Sequence, residues 1–380
     1  MQAKIHALVD SYEKEMKEMY HYLHQNGEIS WEEKRTTDFI CKQLKQLQIP
    51  YTRFSDQTGV IGYFGKKEEG PVIGLRTDMD ALWQNVNGVW KANHSCGHDG
   101  HMTILIFTLK CLKELGIEPK GVIKSIFQPA EETGGGALSL LRKGVIDDVD
   151  YLLGLHVRPI QEMGFPNCSA AIYHGASTIL KGRIFGMQAH AARHHLGINV
   201  IDSLSLINAA IRLIPINPAV PSTIKMTYAQ AGGKNFNIVP DYGEFGIDIR
   251  AQTNEGMQEL LQKLKKAIIS AGEANGAKVE VEILAEMVAA SPNAEMEKLV
   301  EESIVEMLGE DNLVPPPVTP GGEDFHFYYH HKRQLKATMI GLGSDLKPGL
   351  HHPNMSFNLD SLLNGIKIMT LTTIKLLQIP

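Results

Sequence analysis

The sequence predicts an α/β protein of two domains: a mostly parallel-sheet domain with helices on both faces, interrupted by a small α+β insertion of the split βαβ, ferredoxin-like type. Three observations lead there. At 380 residues the chain exceeds the size at which single hydrophobic cores usually stop growing. Short apolar runs bounded by Gly and Pro alternate with helical stretches along its first part and again near its end. Between them, from Ser177 to Leu284, the order becomes β-α-β-β-α-β.

In chain order, Ile5, Leu8, Val9, Tyr12, Met16, Met19 and Leu23 share helical spacing, and Asn26-Gly27 ends what reads as one amphipathic helix. A second helix is expected from Trp31 to Gln48, stopped before Pro50. Val60–Phe64 and Val72–Leu75 then read as buried strands. Met102, Leu105, Leu109 and Leu112 form a helical face that stops at Gly116, followed by a strand Val122–Phe127, a short helix Gly136–Arg142 and a strand Leu152–Leu155. The insertion comprises a strand Ser177–Phe185, a helix Asn199–Leu213, strands Ser222–Ala229 and Tyr242–Arg250, a helix Glu255–Glu273 and a strand Lys278–Leu284. A helix Asn293–Leu308, a strand Leu335–Gly341 and a closing helix Asp360–Leu377 restore the first pattern. The expected division is residues 1–174 and 289–380 for a catalytic domain and 175–288 for an inserted lid or dimerisation domain.

Composition narrows the function classes. With 43% hydrophobic and 21% charged residues the chain can bury a core throughout, which disfavours disorder. Net charge is -6 with the signs interspersed and no Lys/Arg block, so nucleic acid is not an expected partner. Cys41, Cys96, Cys111 and Cys168 show no paired spacing, which fits a reducing cytoplasm better than a disulfide scaffold. Met1–Tyr20 lacks an apolar signal core, and the longest apolar run, Ile104–Phe107, is far too short to span a bilayer; no membrane association is expected.

Open α/β sheets bind ligands beyond the carboxyl ends of their strands. Those positions are unusually polar. After Val72–Leu75 come Arg76-Thr77-Asp78-Met79-Asp80 and then His94-Ser95-Cys96-Gly97-His98-Asp99-Gly100-His101. After Val122–Phe127 comes Gln128-Pro129-Ala130-Glu131-Glu132; Leu152–Leu155 runs into His156; the loop after Leu335–Gly341 reaches His351-His352-Pro353. Imidazole and thiolate together select Zn, Mn, Co or Ni, whereas magnesium or calcium alone would not need Cys96. Ligands so dispersed argue for an open catalytic site over a closed zinc knuckle.

Each feature alone has a plainer explanation. Asp78 and Asp80 could cap a turn, His156 could be a hydrogen-bonded core residue, Cys96 an inert thiol and Glu131-Glu132 a solvated pair. His194-His195 and His330-His331 read as exposed loop residues, and Cys41, Cys111 and Cys168 as core. Their coincidence at one sheet edge is what favours chemistry.

Arg76–Leu82 (RTDMDAL), His94–His101 (HSCGHDGH), Gln128–Glu132 (QPAEE), Leu155-His156-Val157, Gly321–Phe325 (GGEDF) and Leu350–Pro353 (LHHP) together resemble the di-metal aminoacylase and carboxypeptidase amidohydrolases, to which hippurate hydrolase, N-acyl amino acid amidohydrolases and auxin-conjugate hydrolases belong. The insertion is similar too, through Gly182–Ile198 and Gly232–Asp241. The resemblance implies two divalent ions held by Cys96, His98, Glu132, His156 and His351, with Glu131 as general acid/base. It implies that Asp80 orients a ligand imidazole, that His190 and Asn237 stabilise an oxyanion, and that Arg250 pairs with a substrate carboxylate. The expected reaction is hydrolysis of the amide bond of a small N-acyl amino acid with a free carboxylate by metal-activated water, in a cytoplasmic protein that can pair as a homodimer through the insertion. Carboxypeptidase or dipeptidase action, a metal-binding homologue without activity, and a thiol hydrolase with Cys96 as nucleophile and His98 as base are the alternatives. Two departures from the family's pattern stand out. Trp83 replaces the usual Pro, with a shortened connection through Asn85–Gly88, and Arg193-His194-His195 stands where Met-Pro-His is commoner.

Overall fold

The computed structural model describes residues 1–66, 70–291 and 293–379. They divide into two compact units: Met1–Ile172, Pro292–Pro317 and Phe327–Pro380 form the first, Tyr173–Ser291 and Val318–His326 the second.

The first unit is built on a seven-stranded sheet in the order Tyr51–Arg53, Val60–Gly65, Val122–Gln128, Val72–Asp78, Tyr151–Pro159, Lys336–Leu346, Cys168–Ser169. Its middle four strands are parallel, and the outer pairings are antiparallel. Val72–Asp78 and Val122–Gln128 are buried along their whole length, which is why they read as continuous apolar runs instead of alternating ones. The helices His98–Glu114 and Ser361–Leu376 are buried on nearly every side, and Phe107, Leu153, Ile340 and Ile368 sit in the common core.

Three local features differ from the sequence reading. The opening helix is two, Gln2–Ser11 and Glu13–Gln25, broken at Tyr12, whose hydroxyl donates to Glu114 Oε2 at 2.8 Å. An apolar stripe continues across so short a break, so periodicity could not reveal it. The next helix is Lys34–Gln46; Trp31, at φ 69°, lies in the left-handed region and cannot begin a helix. An unanticipated hairpin joins Leu82–Val86 to Val89–Asn93 through Asn87-Gly88, both with positive φ, as a primed two-residue turn requires.

The second unit is an antiparallel four-stranded sheet in the order Ser222–Ala231, Tyr242–Ala251, Ala176–Phe185, Lys278–Met287, with the helices Val200–Arg212 and Asn254–Ala274 packed on it. This order is the ferredoxin-like one. Along Tyr242–Ala251 burial alternates residue by residue: Phe245, Ile247 and Ile249 face the core with Ile207, Leu264 and Ile268. Val318–Thr319 pairs in parallel with Tyr173–His174, which ties the segment to Tyr173 and so to the second unit. No helix among the described residues is long and apolar enough to cross a membrane.

Candidate metal centre

Four adjacent parallel strands of the first unit deliver the polar residues. Val72–Asp78 leads to Asp80, Val122–Gln128 leads to Glu131-Glu132, His156 lies within Tyr151–Pro159, and Lys336–Leu346 leads to His351. Cys96 and His98 flank Gly97 at the start of the His98–Glu114 helix. Gly97 has φ +87°, and a Cβ there would come within 2.5 Å of Val157 Cγ2, so only glycine allows the turn that brings the Cys96 and His98 side chains together.

Two groups of ligand atoms, each within 4.8 Å of one another, share the Cys96 sulfur: Cys96, His98 and His156 in one, Cys96, Glu132 and His351 in the other. The imidazole tautomers follow from their partners. His98 Nδ1 donates to the Asp80 carbonyl at 2.9 Å and His156 Nδ1 to the Val157 carbonyl at 2.7 Å, which leaves both Nε2 atoms as lone-pair donors. His156 Nε2 lies 3.6 Å from Cys96 Sγ, and His351 Nε2 lies 3.4 Å from Glu132 Oε2. His98 Nε2 and Glu132 Oε1, 3.9 Å apart, are both buried without a hydrogen-bond partner. Two such groups, left without a partner, would each incur the desolvation penalty of a buried polar atom. A cation at each, with the Cys96 sulfur and the imidazoles of His156 and His351 at hand, satisfies both, so the donor set fits divalent transition ions.

Electrostatics point the same way at Cys96 and His156 but not at His98. There burial would lower the imidazole, and the Asp78 and Cys96 charges overcome it and hold the group well above its ordinary value, so a cation has to displace a proton. Burial, then the nearby Glu132 charge, pushes the Cys96 thiol well above its ordinary value, so a thiolate there needs a cation. Burial also holds His156 well below the usual imidazole range, keeping it neutral as a ligand must be. Glu132 is raised by burial to about 7, with His98 opposing.

Asp78, His98 and His101 also cluster, but there Asp78 and His101 are already engaged by internal bonds. His101 Nδ1 donates to Asp78 Oδ1 at 2.8 Å, its Nε2 accepts from the Val157 N–H at 3.0 Å, and Arg76 donates to Asp78 Oδ2 at 2.8 Å. Burial would raise the Asp78 carboxyl; His98, His101 and Arg76 overcome it and hold the group well below the usual range. Asp80 links the ligand loops: besides its carbonyl on His98, its carboxylate accepts from Ser30 Oγ at 2.7 Å and from the N–H groups of Glu131 and Glu132 at 3.2 and 3.0 Å.

Glu33 was not singled out by the sequence. It is fully buried, accepts from the Ala130 N–H at 2.8 Å and from Thr58 Oγ1 at 2.6 Å, and so supports the turn at Ala130, φ +53°, just before Glu131. Burial, with the Asp80 charge adding, raises its carboxyl to about 7. A raised carboxyl stabilises the fold most fully below its unfolded pKa, and that contribution is lost as pH rises through the folded value. In the metal-free chain Glu33 is therefore expected to make the unfolding free energy fall by on the order of 3 kcal/mol between pH 4.5 and 7. Glu33→Gln keeps one acceptor and offers Thr58 a donor, and should remove that slope. Urea titrations of parent and variant at pH 5 and pH 8 in EDTA check it; parallel pH dependence of the two would show that Glu33 stays ionised.

The residues expected to meet substrate lie in the second unit. Ala189–His190 pairs with Ile238–Val239, and the Ala191 N–H donates to the Asn237 carbonyl at 2.9 Å, so the exposed His190 and Asn237 belong to one small substructure. His190 Nδ1 accepts from the Ala192 N–H at 3.1 Å. Arg250 Nε and Nη2 are engaged by Asp248 at 3.0 and 2.9 Å, and its Nη1 lies 3.5 Å from the Pro320 carbonyl.

The chain is similar to known proteins over most of its length. The model of peptidase family M20/M25/M40 matches residues 74–375. The chain is 30% identical over 319 residues to IAA-amino acid hydrolase ILR1-like 4 of Arabidopsis thaliana, covering 80% of this chain and 72% of that protein. It is 30% identical over 358 residues to N-acetyl-L-cysteine deacetylase of Bacillus subtilis, covering 92% and 84%. Among solved structures, the Bacillus subtilis YXEP protein, described as a dinuclear metal binding peptidase from the M20 family, superposes with a TM-score of 0.82 at 25% identity, covering 97% of this chain and 100% of that one.

Proposed function

Since this chain belongs to the peptidase M20/M25/M40 family and is a metallo-amidohydrolase, we propose that it cleaves the amide bond of small N-acyl amino acids bearing a free carboxylate. What supports this reading is the pair of ligand triads meeting at Cys96, with Glu131 in neither although its carboxylate lies within 4.8 Å of ligand atoms of His98 and Glu132. Cys96, His98 and His156 would hold one divalent ion, Cys96, Glu132 and His351 a second, drawn from Zn, Mn, Co or Ni. Bound ions supply Lewis acidity, lowering the pKa of a water towards neutrality and polarising the scissile carbonyl.

The chain's own residues do the rest. Glu131 takes a proton from the attacking water as the carbon–oxygen bond forms, and returns it to the amide nitrogen as the carbon–nitrogen bond breaks, releasing a carboxylate and an amine. Asp80 steadies His98 from one side and the Glu131-Glu132 backbone from the other, fixing acid and ligands relative to each other. His190 and Asn237 are assigned to the developing oxyanion and Arg250 to the substrate carboxylate, roles taken from the family resemblance. The four free cysteines support a cytoplasmic setting, and pairing as a homodimer through the inserted unit belongs to the same proposal.

The test is hydrolysis of N-acetyl, N-benzoyl and indole-acetyl amino acids beside dipeptides, before and after EDTA and after restoring Mn or Zn. Acyl amino acids should be turned over, EDTA should abolish the activity, and metal should return it. Activity indifferent to chelator would point to Cys96 as a nucleophile instead, and a preference for dipeptides would move the protein to the peptidases.

A further inference from the structure

His351 is the one member of the ligand set that sits on an exposed loop, and it is held in an unfavourable backbone conformation, φ +63°. A non-glycine residue stays there only where its surroundings fix it, since the left-handed region costs an L-residue roughly 1–2 kcal/mol. The fixing contacts come from one short stretch of chain. The His351 N–H donates to the Ser95 carbonyl at 2.8 Å, one residue before Cys96. The His351 carbonyl accepts from Gln84 Nε2 at 2.8 Å. Gln84 is aimed in turn by Asn93, whose Nδ2 donates to Gln84 Oε1 at 2.9 Å and to the Pro353 carbonyl at 3.1 Å.

Gln84 and Asn93 lie on opposite strands of the Leu82–Asn93 hairpin; Leu82 is opposite Asn93 and Gln84 opposite Lys91, so the two amides share a face. This hairpin is the shortened connection by which the chain departs from its family's pattern. Its tight Asn87-Gly88 turn, braced by the Gly88 N–H on Asn85 Oδ1 at 2.8 Å, sets the register that places both amides against residues 351–353.

We propose that Gln84 and Asn93 are positioning residues for a metal site: together they form an amide clamp that fixes His351 over Cys96 and Glu132 and thereby sets the affinity of that triad alone. The inference rests on the ligand assignment proposed above. The triad of Cys96, His98 and His156 receives nothing from the clamp, because His98 and His156 are oriented by the carbonyls of Asp80 and Val157. The hairpin is thus a selective control on one ion of the pair.

The probe is Co(II), titrated into the EDTA-stripped full-length protein and counted by equilibrium dialysis with elemental analysis. Gln84→Met removes the donor at nearly constant volume from a half-buried position, and Asn93→Ala leaves Gln84 unaimed. Each should weaken one of two equivalents by roughly 10- to 100-fold, the usual effect of removing a residue that orients a ligand, and leave the other within about twofold. His351→Ala serves as the reference and should remove that same equivalent. If His351→Ala loses one equivalent while Gln84→Met and Asn93→Ala both bind like the parent, the clamp is refuted and the ligand assignment stands. If His351→Ala binds two equivalents unchanged, the ligand assignment itself is wrong. Weakening of both equivalents together in Gln84→Met would also overturn the proposal, since the clamp would then act on the whole centre.

Discussion

Replacing Glu131 with Gln should lower kcat on an N-acyl amino acid by about 10²- to 10⁴-fold, with both metal equivalents still bound. That corresponds to roughly 3–5 kcal/mol of transition-state stabilisation. The amide matches the carboxylate in shape but cannot take a proton, so the change isolates acid/base chemistry from packing. The loop around it should persist, because its geometry is set by backbone contacts: the Ala130 N–H on Glu33, the Glu131 and Glu132 N–H groups on Asp80, and the Gly136 N–H on the Ala130 carbonyl at 3.1 Å. Steady-state kinetics with metal analysis on the same sample check it. A variant that retains metal and turns over within tenfold of the parent would remove Glu131 from the proton path.

The second large effect is expected at Cys96. Because its sulfur belongs to both triads, Cys96→Ala should weaken both equivalents, each by more than about 100-fold, beyond what loss of an orienting residue costs. Hydrolysis should fall to background at micromolar metal. His98→Ala and His351→Ala, which each belong to one triad with Cys96, should spare one equivalent. Co(II) titration of the three variants side by side separates a shared ligand from two independent sites; loss of a single equivalent in Cys96→Ala would mean the sulfur serves one ion.

Much of the architecture was legible because burial writes itself into the order of residues. The central parallel strands announce themselves as unbroken apolar runs, and the second unit's strands and helices follow in the expected order. What escaped depends on contacts distant in sequence or on single backbone angles. Trp31 sits in a helix-compatible pattern yet has φ 69°, and the one-residue break at Tyr12 leaves the apolar stripe intact. Burial alternates along Leu82–Val86, but the Leu82–Asn93 hairpin places the apolar Trp83, Val89 and Trp90 at exposed positions and the polar Gln84 at a half-buried one, so the residue types lack the alternation that marks a half-buried strand. Val318–Thr319 joins the second unit through pairing with Tyr173–His174, far back in the chain.

The candidate centre divides along the same line. Cys96, His98, Glu132, His156 and His351 stand at or near strand ends and are gathered there in the structure. Their supports were hidden. Glu33 reaches Ala130 and Gln84 reaches His351 across long stretches of chain, and neither residue type is unusual where it stands. His101 carried a signal, three residues after His98 on the same helix, but its sequence position does not reveal that Asp78 and the Val157 N–H engage both of its ring nitrogens.

The shared sulfur is tested most directly by anomalous scattering from crystals grown with Zn or Co, with data collected on both sides of the metal's absorption edge. Two peaks should appear, each within bonding distance of Cys96 Sγ, one also contacting His98 and His156 and the other Glu132 and His351. A single peak, or two peaks of which one lies beyond reach of the Cys96 sulfur, would contradict a dinuclear centre built on that residue.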